Sequence, residues 1–326
     1  MSRSAQTAPA FDGPDGLLHK ARIVVYASKP KRRLVRWLFL ALLCAAPGAL
    51  VLAPARNDSP YVRDDIRIPV AEGHYSLALT ILRPRGAGPF GAIILNHGVG
   101  EDARDRFLES PTLFIQAASA FVSRGYAVVM PLRRGFGETG GAFAEDAGEC
   151  GSPHYGRGER AAARDVLAAY EFARKLRYVD PERMILAGQS AGGVASLYAA
   201  AQQPAGLVAV LAFAAGRGGN PAVHPGIPCA AEALAALFQD LGSSVRVPVL
   251  MYYAENDLYF GSAASRSWFQ RLQAGGVDAE YVLQPPFGSN GHFVFADRKG
   301  VELWLPTVER FLERHRIPFE LAKQRT

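Results

Sequence analysis

The residues at 188–192 have the types and spacing of a serine nucleophile. Ser190 lies between Gln189 and Ala191, and Gly188 and Gly192 stand two residues away on either side. The apolar run before this segment and the helical pattern after it predict a strand, a tight turn and a helix. Such a turn lifts a serine hydroxyl above the sheet, and side chains at 188 or 192 would collide with neighbouring backbone. The alternative is a plain glycine-rich connection between a strand and a helix.

A serine hydroxyl needs a general base, and two of the seven histidines are placed to supply one. His292 lies in a polar loop after the last predicted strand, whereas His97 lies in a glycine-rich loop after an early strand. A chain order of nucleophile, acid and histidine favours His292. The alternative for His292 is an ordinary histidine of a surface loop.

The third member of such a set is a carboxylate that orients the imidazole. Asp257 lies just beyond the predicted strand 247–253. Sites form at the carboxyl ends of parallel strands, so Asp257 is the favoured acid. Glu255 and Asp278 are its competitors.

The tetrahedral intermediate of such a reaction needs two N–H donors. One is expected from Ala191, which follows the nucleophile. The second is expected from Val99, with Gly98 or Gly100 as alternatives, because this loop is rich in glycine and follows the strand 91–96. His97 is then interpreted as a residue that shapes the loop.

Three arginines in later loops leave two interpretations open. Arg133, Arg134 and Arg217 could bind a substrate carboxylate through paired N–H groups. Equally, they could form structural ion pairs with acidic residues of the loops.

The basic charge of the chain is concentrated at its start. The formal net charge is +6, and residues 1–36 contain eight basic and two acidic residues, so residues 37–326 are net neutral. This distribution argues against nucleic-acid binding by the body.

Residues 37–55 contain no charge and follow the basic leader, which is the order of an export signal. The same length would also allow a retained single-span anchor, and a buried helix is the third alternative.

The predicted export affects the cysteines. With Cys44 inside the apolar segment, Cys150 and Cys229 remain as one pair for an oxidising compartment. The alternative is two unrelated free thiols. No cysteine or histidine spacing indicates a metal site.

The remaining chain, 56–326, is expected to form one domain. A predicted antiparallel hairpin over 64–83 precedes an alternation of apolar runs and helical stretches. Continuous apolar runs are typical of strands buried on both faces, so we predict an α/β fold with a mostly parallel, doubly wound sheet and helices on both faces. The predicted strands are 91–96, 126–131, 183–188, 207–214, 247–253 and 279–284. The predicted helices are 111–123, 158–176, 191–202, 230–241, 263–274 and 301–314.

Five motifs together resemble the α/β-hydrolase superfamily, and within it the exported dienelactone-hydrolase-like and prolyl-oligopeptidase-like esterases. They are NHGVG at 96–100, RRGFGETGG at 133–141, GQSAGG at 188–193, AENDLYFG at 254–261 and GHF at 291–293. The resemblance implies a Ser190–Asp257–His292 triad, no metal or other cofactor, and hydrolysis of an ester, lactone, thioester or peptide bond through an acyl-enzyme. The dienelactone hydrolases proper use a cysteine nucleophile, whereas this chain has serine in that place.

The sequence therefore predicts an exported serine hydrolase that acts on a small-molecule ester. One alternative is an exported serine peptidase of the prolyl-oligopeptidase type. A second is a non-catalytic binding protein with the same fold. A membrane transporter is excluded because only one apolar segment is long enough to span a bilayer.

Overall fold

The structure is a computed structural model that describes residues 59–70, 75–100 and 102–319. These residues belong to one compact unit, Asn57–Thr326. The predicted basic leader, 1–36, and the apolar segment, 37–55, lie outside the described residues. No helix within the described ranges has the length and apolar character needed to cross a membrane.

The described strands form one eight-stranded sheet with the order β1-β2-β4-β3-β5-β6-β7-β8. β1 pairs antiparallel with β2, and β2 pairs antiparallel with β4. The other six strands, β3 to β8, are mutually parallel. The first two strands are thus the predicted N-terminal hairpin. The strands are β1 (Tyr61–Val70), β2 (Tyr75–Pro84), β3 (Phe90–Asn96), β4 (Tyr126–Leu132), β5 (Val179–Gln189), β6 (Leu207–Phe213), β7 (Val249–Ala254) and β8 (Ala279–Gln284).

Helices cover both faces of the sheet. α2 and α7 pack on one face, and the four helices from α3 to α6 pack on the other. The helices are α1 (Ala103–Leu108), α2 (Ile115–Ser123), α3 (Tyr155–Arg174), α4 (Ala191–Ala200), α5 (Ala231–Ser244), α6 (Ser262–Ala274) and α7 (Arg298–Arg314). Short 3-10 turns lie at Pro111–Phe114, Gly137–Thr139 and Gly291–Phe293.

The continuous apolar runs arise because each central strand supplies two cores. In β3, Ala92 and Ile94 face the core beneath α3 and α4, whereas Ile93 and Leu95 face the core beneath α2 and α7. Successive side chains along a strand point to opposite faces of the sheet. When both faces are buried, the side chains on both are apolar and the sequence shows a continuous apolar run. The doubly wound α/β arrangement predicted from the sequence is confirmed.

One helix, α1, lies outside the helices predicted from the sequence. α1 begins after Asp102, whose side chain accepts a hydrogen bond from the Asp105 N–H at 2.9 Å. None of the residues of α1 is buried. Without a buried face there is no apolar periodicity, and the pattern on which helix prediction depends is missing.

The parallel strands bring their carboxyl ends to one edge of the sheet. β3 ends at Asn96, β4 at Leu132, β5 at Gln189 and β7 at Ala254. The loops that follow these strands, together with those after β6 (ending at Phe213) and β8 (ending at Gln284), carry the residues singled out in the sequence.

Candidate active site

Ser190 occupies a strained turn between β5 and α4. Its φ is 57° and its ψ is −128°, a region that non-glycine residues rarely adopt. Four backbone hydrogen bonds hold the turn. The Ser190 N–H donates to the Phe213 carbonyl at 3.0 Å, and the Ser190 carbonyl accepts from the N–H groups of Gly193 at 3.0 Å, Gly216 at 3.2 Å and Val194 at 3.3 Å. These hydrogen bonds maintain the strained backbone and hold the Ser190 hydroxyl at the first turn of α4.

Close backbone contacts explain the two flanking glycines. A Cβ on Gly188 would overlap the carbonyl of Gly192. A Cβ on Gly192 would overlap the carbonyls of Asn96 and His97 at the end of β3. Neither position has room for a side chain, as the sequence predicted.

His292 and Asp257 form a buried pair. His292 Nδ1 lies 3.0 Å from Asp257 Oδ2 and 3.2 Å from Oδ1. Asp257 Oδ1 also accepts from the backbone N–H groups of Tyr259, at 2.8 Å, and Phe260, at 2.9 Å. The Tyr259 ring stacks on the imidazole with centroids 4.2 Å apart. The ring therefore has one nitrogen directed to the carboxylate and a fixed plane.

The competing acids lie elsewhere. Glu255 is exposed, and the exposed Asp278 lies with Oδ2 3.8 Å from His315 Nδ1. Of the three acids considered from the sequence, the structure places Asp257 beside His292.

Two amide side chains without a predicted role hold the histidine loop: Asn290 joins it to the acid loop, and Gln189 joins it to the end of β5. Asn290 Oδ1 accepts from the N–H groups of Leu258 and His292, both at 3.1 Å. Gln189 Nε2 donates to the His292 carbonyl. The position of Asn290, two residues before His292 in a polar loop, was the only sequence signal for this role.

His97 shapes the loop after β3 and has no nitrogen free to act as a base. Nε2 accepts from the Arg133 N–H at 3.1 Å, so the ring proton is on Nδ1, which donates to the Gly98 carbonyl at 2.8 Å. Burial, together with the charge of Arg133, lowers the pKa of His97 well below its ordinary value. The imidazole is therefore neutral, in agreement with its interpretation as a structural residue.

Arg133 and Arg217 both form buried ion pairs with acidic residues, and Arg217 also lines the cavity described below. Arg133 is fully buried and donates to Glu145 through Nε at 2.5 Å and Nη2 at 3.2 Å. Arg217 Nη2 donates to the Glu145 carbonyl at 2.6 Å, and Arg217 Nε lies 3.2 Å from Glu159. Arg133 is buried against Glu145 and does not line the cavity described below, so its suggested role in binding a substrate carboxylate has no support in this geometry.

Arg134 points to a different part of the molecule. Its guanidinium lies over the Tyr75 ring at 5.1 Å, and its backbone N–H donates to Asp165 at 2.6 Å. Arg134 does not line the cavity described next, so its suggested role in substrate binding has no support in this geometry.

A cavity of about 470 Å³ joins the candidate residues. Ser190 and His292 both line it, together with Gly98, Val99 and Ala191. Much of the remaining wall is aromatic: Phe114, Phe143, Tyr155, Tyr259, Phe260 and Phe293. Six charged residues also line it: Asp105, Arg106, Glu109, Glu145, Asp146 and Arg217. The arrangement can hold a small molecule with both apolar and polar groups against a serine hydroxyl.

Glu109 adds an acid with an altered pKa to this wall. Burial raises the pKa of its carboxyl to about 7, although the charge of Arg133 acts in the opposite direction. The cavity therefore gains a negative charge as the pH rises through neutrality.

A disulfide closes one side of the cavity. Cys150 and Cys229 are bonded, with their Cα atoms 5.2 Å apart, and both line the cavity. The Tyr155 hydroxyl donates to the Cys229 carbonyl at 2.7 Å. The loop before α3 is thus joined to the loop before α5, which is the pairing suggested by the sequence.

The residues that the structure describes contain no candidate metal site. Among them, no group of three or more His, Cys, Asp or Glu side chains is arranged to hold a metal ion.

Comparison with known proteins identifies the architecture. Solved structures that match include one described as a dienelactone hydrolase from Klebsiella pneumoniae, at 17% identity and a TM-score of 0.51, covering 78% of this chain and 99% of that one. An esterase from Pyrococcus furiosus matches at 12% identity and a TM-score of 0.54, covering 78% and 90%. The chain has the α/β-hydrolase fold.

Other α/β-hydrolase matches extend to peptidases. The acylaminoacyl peptidase of Pyrococcus horikoshii matches at 15% identity and a TM-score of 0.52, covering 82% of this chain and 43% of that one. By sequence, the prolyl oligopeptidase family matches residues 112–215, a segment that contains Ser190 but ends before Asp257 and His292. No curated protein matches the chain by sequence.

Proposed function

We propose that the protein is a serine hydrolase that cleaves a carboxylic ester of a small molecule through an acyl-enzyme on Ser190. The observation that carries this proposal is the arrangement in one cavity: a serine in a strained turn, and a histidine whose Nδ1 is held by a buried carboxylate. A binding protein needs neither the strain nor the pair. The esterase and hydrolase matches of the same fold add support.

The proposed cycle uses His292 twice. Its Nε2 takes the Ser190 proton as Oγ attacks the acyl carbon, and it then returns the proton to the leaving alcohol. Water repeats the sequence on the acyl-enzyme and releases the acid. Asp257 keeps the ring proton on Nδ1 and stabilises the imidazolium that forms.

The developing oxyanion is assigned to the N–H groups of Ala191 and Val99. Ala191 is the first residue of α4, where backbone N–H groups have no intrahelical partner and the helix dipole favours negative charge. Val99 lies in the loop after β3 and lines the cavity beside Ser190.

Turnover of p-nitrophenyl esters from acetate to palmitate tests this proposal. The full chain and its Ser190→Ala form are compared at equal concentration. We expect turnover that disappears in the alanine form, with a chain-length optimum that reports the size of the acyl site. Equal turnover by the two forms would overturn the role of Ser190. No turnover and no labelling by a fluorophosphonate would favour the non-catalytic alternative.

A peptidase is the second candidate, and the match of residues 112–215 to the prolyl oligopeptidase family favours it. Aminoacyl p-nitroanilides compared with the matching aminoacyl esters distinguish the two activities. A kcat/KM on the amide that equals or exceeds that on the ester would replace the esterase proposal.

We also propose that the domain is exported, because a basic leader precedes the uncharged segment 37–55 and because Cys150 and Cys229 are bonded. Fractionation of the producing cell, followed by N-terminal sequencing, tests this. A mature terminus near Arg56 indicates cleavage, whereas an intact chain in the membrane fraction indicates an anchor. An intact chain in the cytosol would contradict export.

A further inference from the structure

The guanidinium of Arg133 holds two consecutive carbonyls of the loop after β3. Nη1 donates to the His97 carbonyl at 2.7 Å, and Nη2 donates to the Gly98 carbonyl at 3.1 Å. The Gly98 carbonyl also accepts from His97 Nδ1 at 2.8 Å. Both peptide groups therefore point their oxygens toward one buried cation.

Peptide geometry then determines where the N–H groups point. In a planar trans peptide the C=O and N–H bonds point in opposite directions. With the carbonyls of His97 and Gly98 directed at Arg133, the N–H groups of Gly98 and Val99 are directed away from it. Within the described chain these two N–H groups have no hydrogen-bond acceptor, and both residues line the cavity of Ser190.

We propose that Arg133 is a positioning residue, which orients the loop after β3 so that its N–H groups, that of Val99 above all, face the reacting carbonyl oxygen. This inference deepens the proposed hydrolase function and rests on it. Arg133 itself touches no substrate, because its side chain is fully buried behind the loop.

The chemistry of the side chain fits this role. Arginine presents its N–H groups in a rigid planar fork, which lets one side chain meet two carbonyls and one carboxylate. Glu145 balances the buried charge and binds the remaining edge of the guanidinium. A lysine has three donors at one point and cannot reproduce this set of contacts.

Arg133→Lys tests the proposal, and Arg134→Lys is the matched control. Arg134 is the next residue of the same loop, but its guanidinium lies over Tyr75, outside the cavity. We expect Arg133→Lys to lower kcat for a p-nitrophenyl ester by about 100-fold, the scale of losing one oxyanion donor, with KM changed less than about threefold. The rate of labelling by a fluorophosphonate should fall in parallel, because its tetrahedral phosphorus centre uses the same donors. Arg134→Lys should change each quantity by less than about threefold.

The outcomes separate this inference from the function on which it rests. A raised KM with unchanged kcat in Arg133→Lys would make Arg133 a substrate-binding residue, and an unchanged labelling rate would also overturn the inference. Failure of the parent protein to label at all would instead contradict the serine hydrolase proposal.

If Arg133→Lys does not fold, Glu145→Gln loosens the same guanidinium and should lower kcat about tenfold at constant KM. An unchanged kcat in that variant would overturn the role of Arg133.

Discussion

At the scale of single residues, position decides what an acid does. Glu255 and Asp257 are two residues apart, yet one is exposed and the other lies buried with an oxygen 3.0 Å from the His292 ring. The carboxylate of Asp257 also receives two backbone N–H groups. Its role is thus defined by the loop that places it rather than by its residue type.

Asp257→Asn should lower kcat for a p-nitrophenyl ester by about 10³- to 10⁴-fold, because an amide favours the wrong tautomer of the histidine. Glu255→Gln makes the same chemical change at the exposed neighbour and should leave kcat within about twofold. Steady-state kinetics with matched circular dichroism spectra check both variants. Equal effects at the two positions would exclude Asp257 as the orienting acid.

Glu159 gives the buried ion-pair cluster a dependence on pH. It is fully buried beside Arg217, and burial raises the pKa of its carboxyl from 4.5 to about 7. Between these values the folded protein binds a proton that the unfolded chain does not, so this group favours folding at low pH and loses that contribution as pH rises through about 7.

Glu159→Gln cannot titrate, so it removes this dependence. We compare the free energy of unfolding of the variant with that of the parent protein at each pH. The variant-minus-parent difference should be about 1–3 kcal/mol larger at pH 8 than at pH 5. Urea denaturation at the two pH values measures the difference. If the two proteins differ in free energy of unfolding by the same amount at pH 5 and pH 8, Glu159 does not titrate in this range.

The candidate site residues that the sequence singled out have local signals, and the structure places Ser190 and His292 at one cavity with Asp257 beside His292. Ser190 has its glycines, and His292 and Asp257 follow strands in the expected order. The partners of Arg133 were not predictable in the same way. Glu145 is twelve residues further along, and no pattern marks that it turns back to meet the guanidinium. For this reason the sequence left substrate binding and structural ion pairing open.

At the scale of elements, the central feature is the turn from β5 into α4. It requires a strained serine and two positions without a Cβ, and backbone from β3 fills the space beside it. The motif could be predicted because the strained serine and its two glycines fall within five residues, although the β3 backbone beside them does not. α1 could not, since six residues with no buried face carry no periodic pattern.

Gly188→Ala should destabilise the fold by about 1–3 kcal/mol and lower kcat, because its Cβ would overlap the Gly192 carbonyl. Gly156→Ala is the control, since Gly156 lies in α3 with nothing within 4 Å of a Cβ. Because Gly156 lies in the first turn of α3, this change should alter the stability by less than about 0.5 kcal/mol. Thermal unfolding of both variants measures these effects, and a harmless Gly188→Ala would contradict the packing described for the turn.

At the scale of the whole molecule, one sheet collects loops that are far apart in sequence around a single cavity. The disulfide between Cys150 and Cys229 then ties two of these loops across 79 residues. The loop that contains Cys229 also packs on the acid loop, because the Gly226 N–H donates to the Leu258 carbonyl at 2.6 Å. The crosslink should therefore support both the fold and the cavity wall.

A Cys150→Ser, Cys229→Ser double variant should lose about 2–4 kcal/mol of stability, the amount expected from closing a long loop in the unfolded chain. Adding a reductant should lower the Tm of the parent protein toward that of the double variant and leave the double variant unchanged. A parent Tm that does not respond to complete reduction would contradict this role for the crosslink.

The proposed cycle depends most on a nucleophilic Ser190 activated by His292. The most direct test is peptide mass spectrometry of the full chain after reaction with a fluorophosphonate, with His292→Ala treated in parallel. We predict one adduct, on Ser190, and a labelling rate at least about 100-fold lower in His292→Ala. An adduct on another residue, or equal labelling rates in the two proteins, would contradict the account.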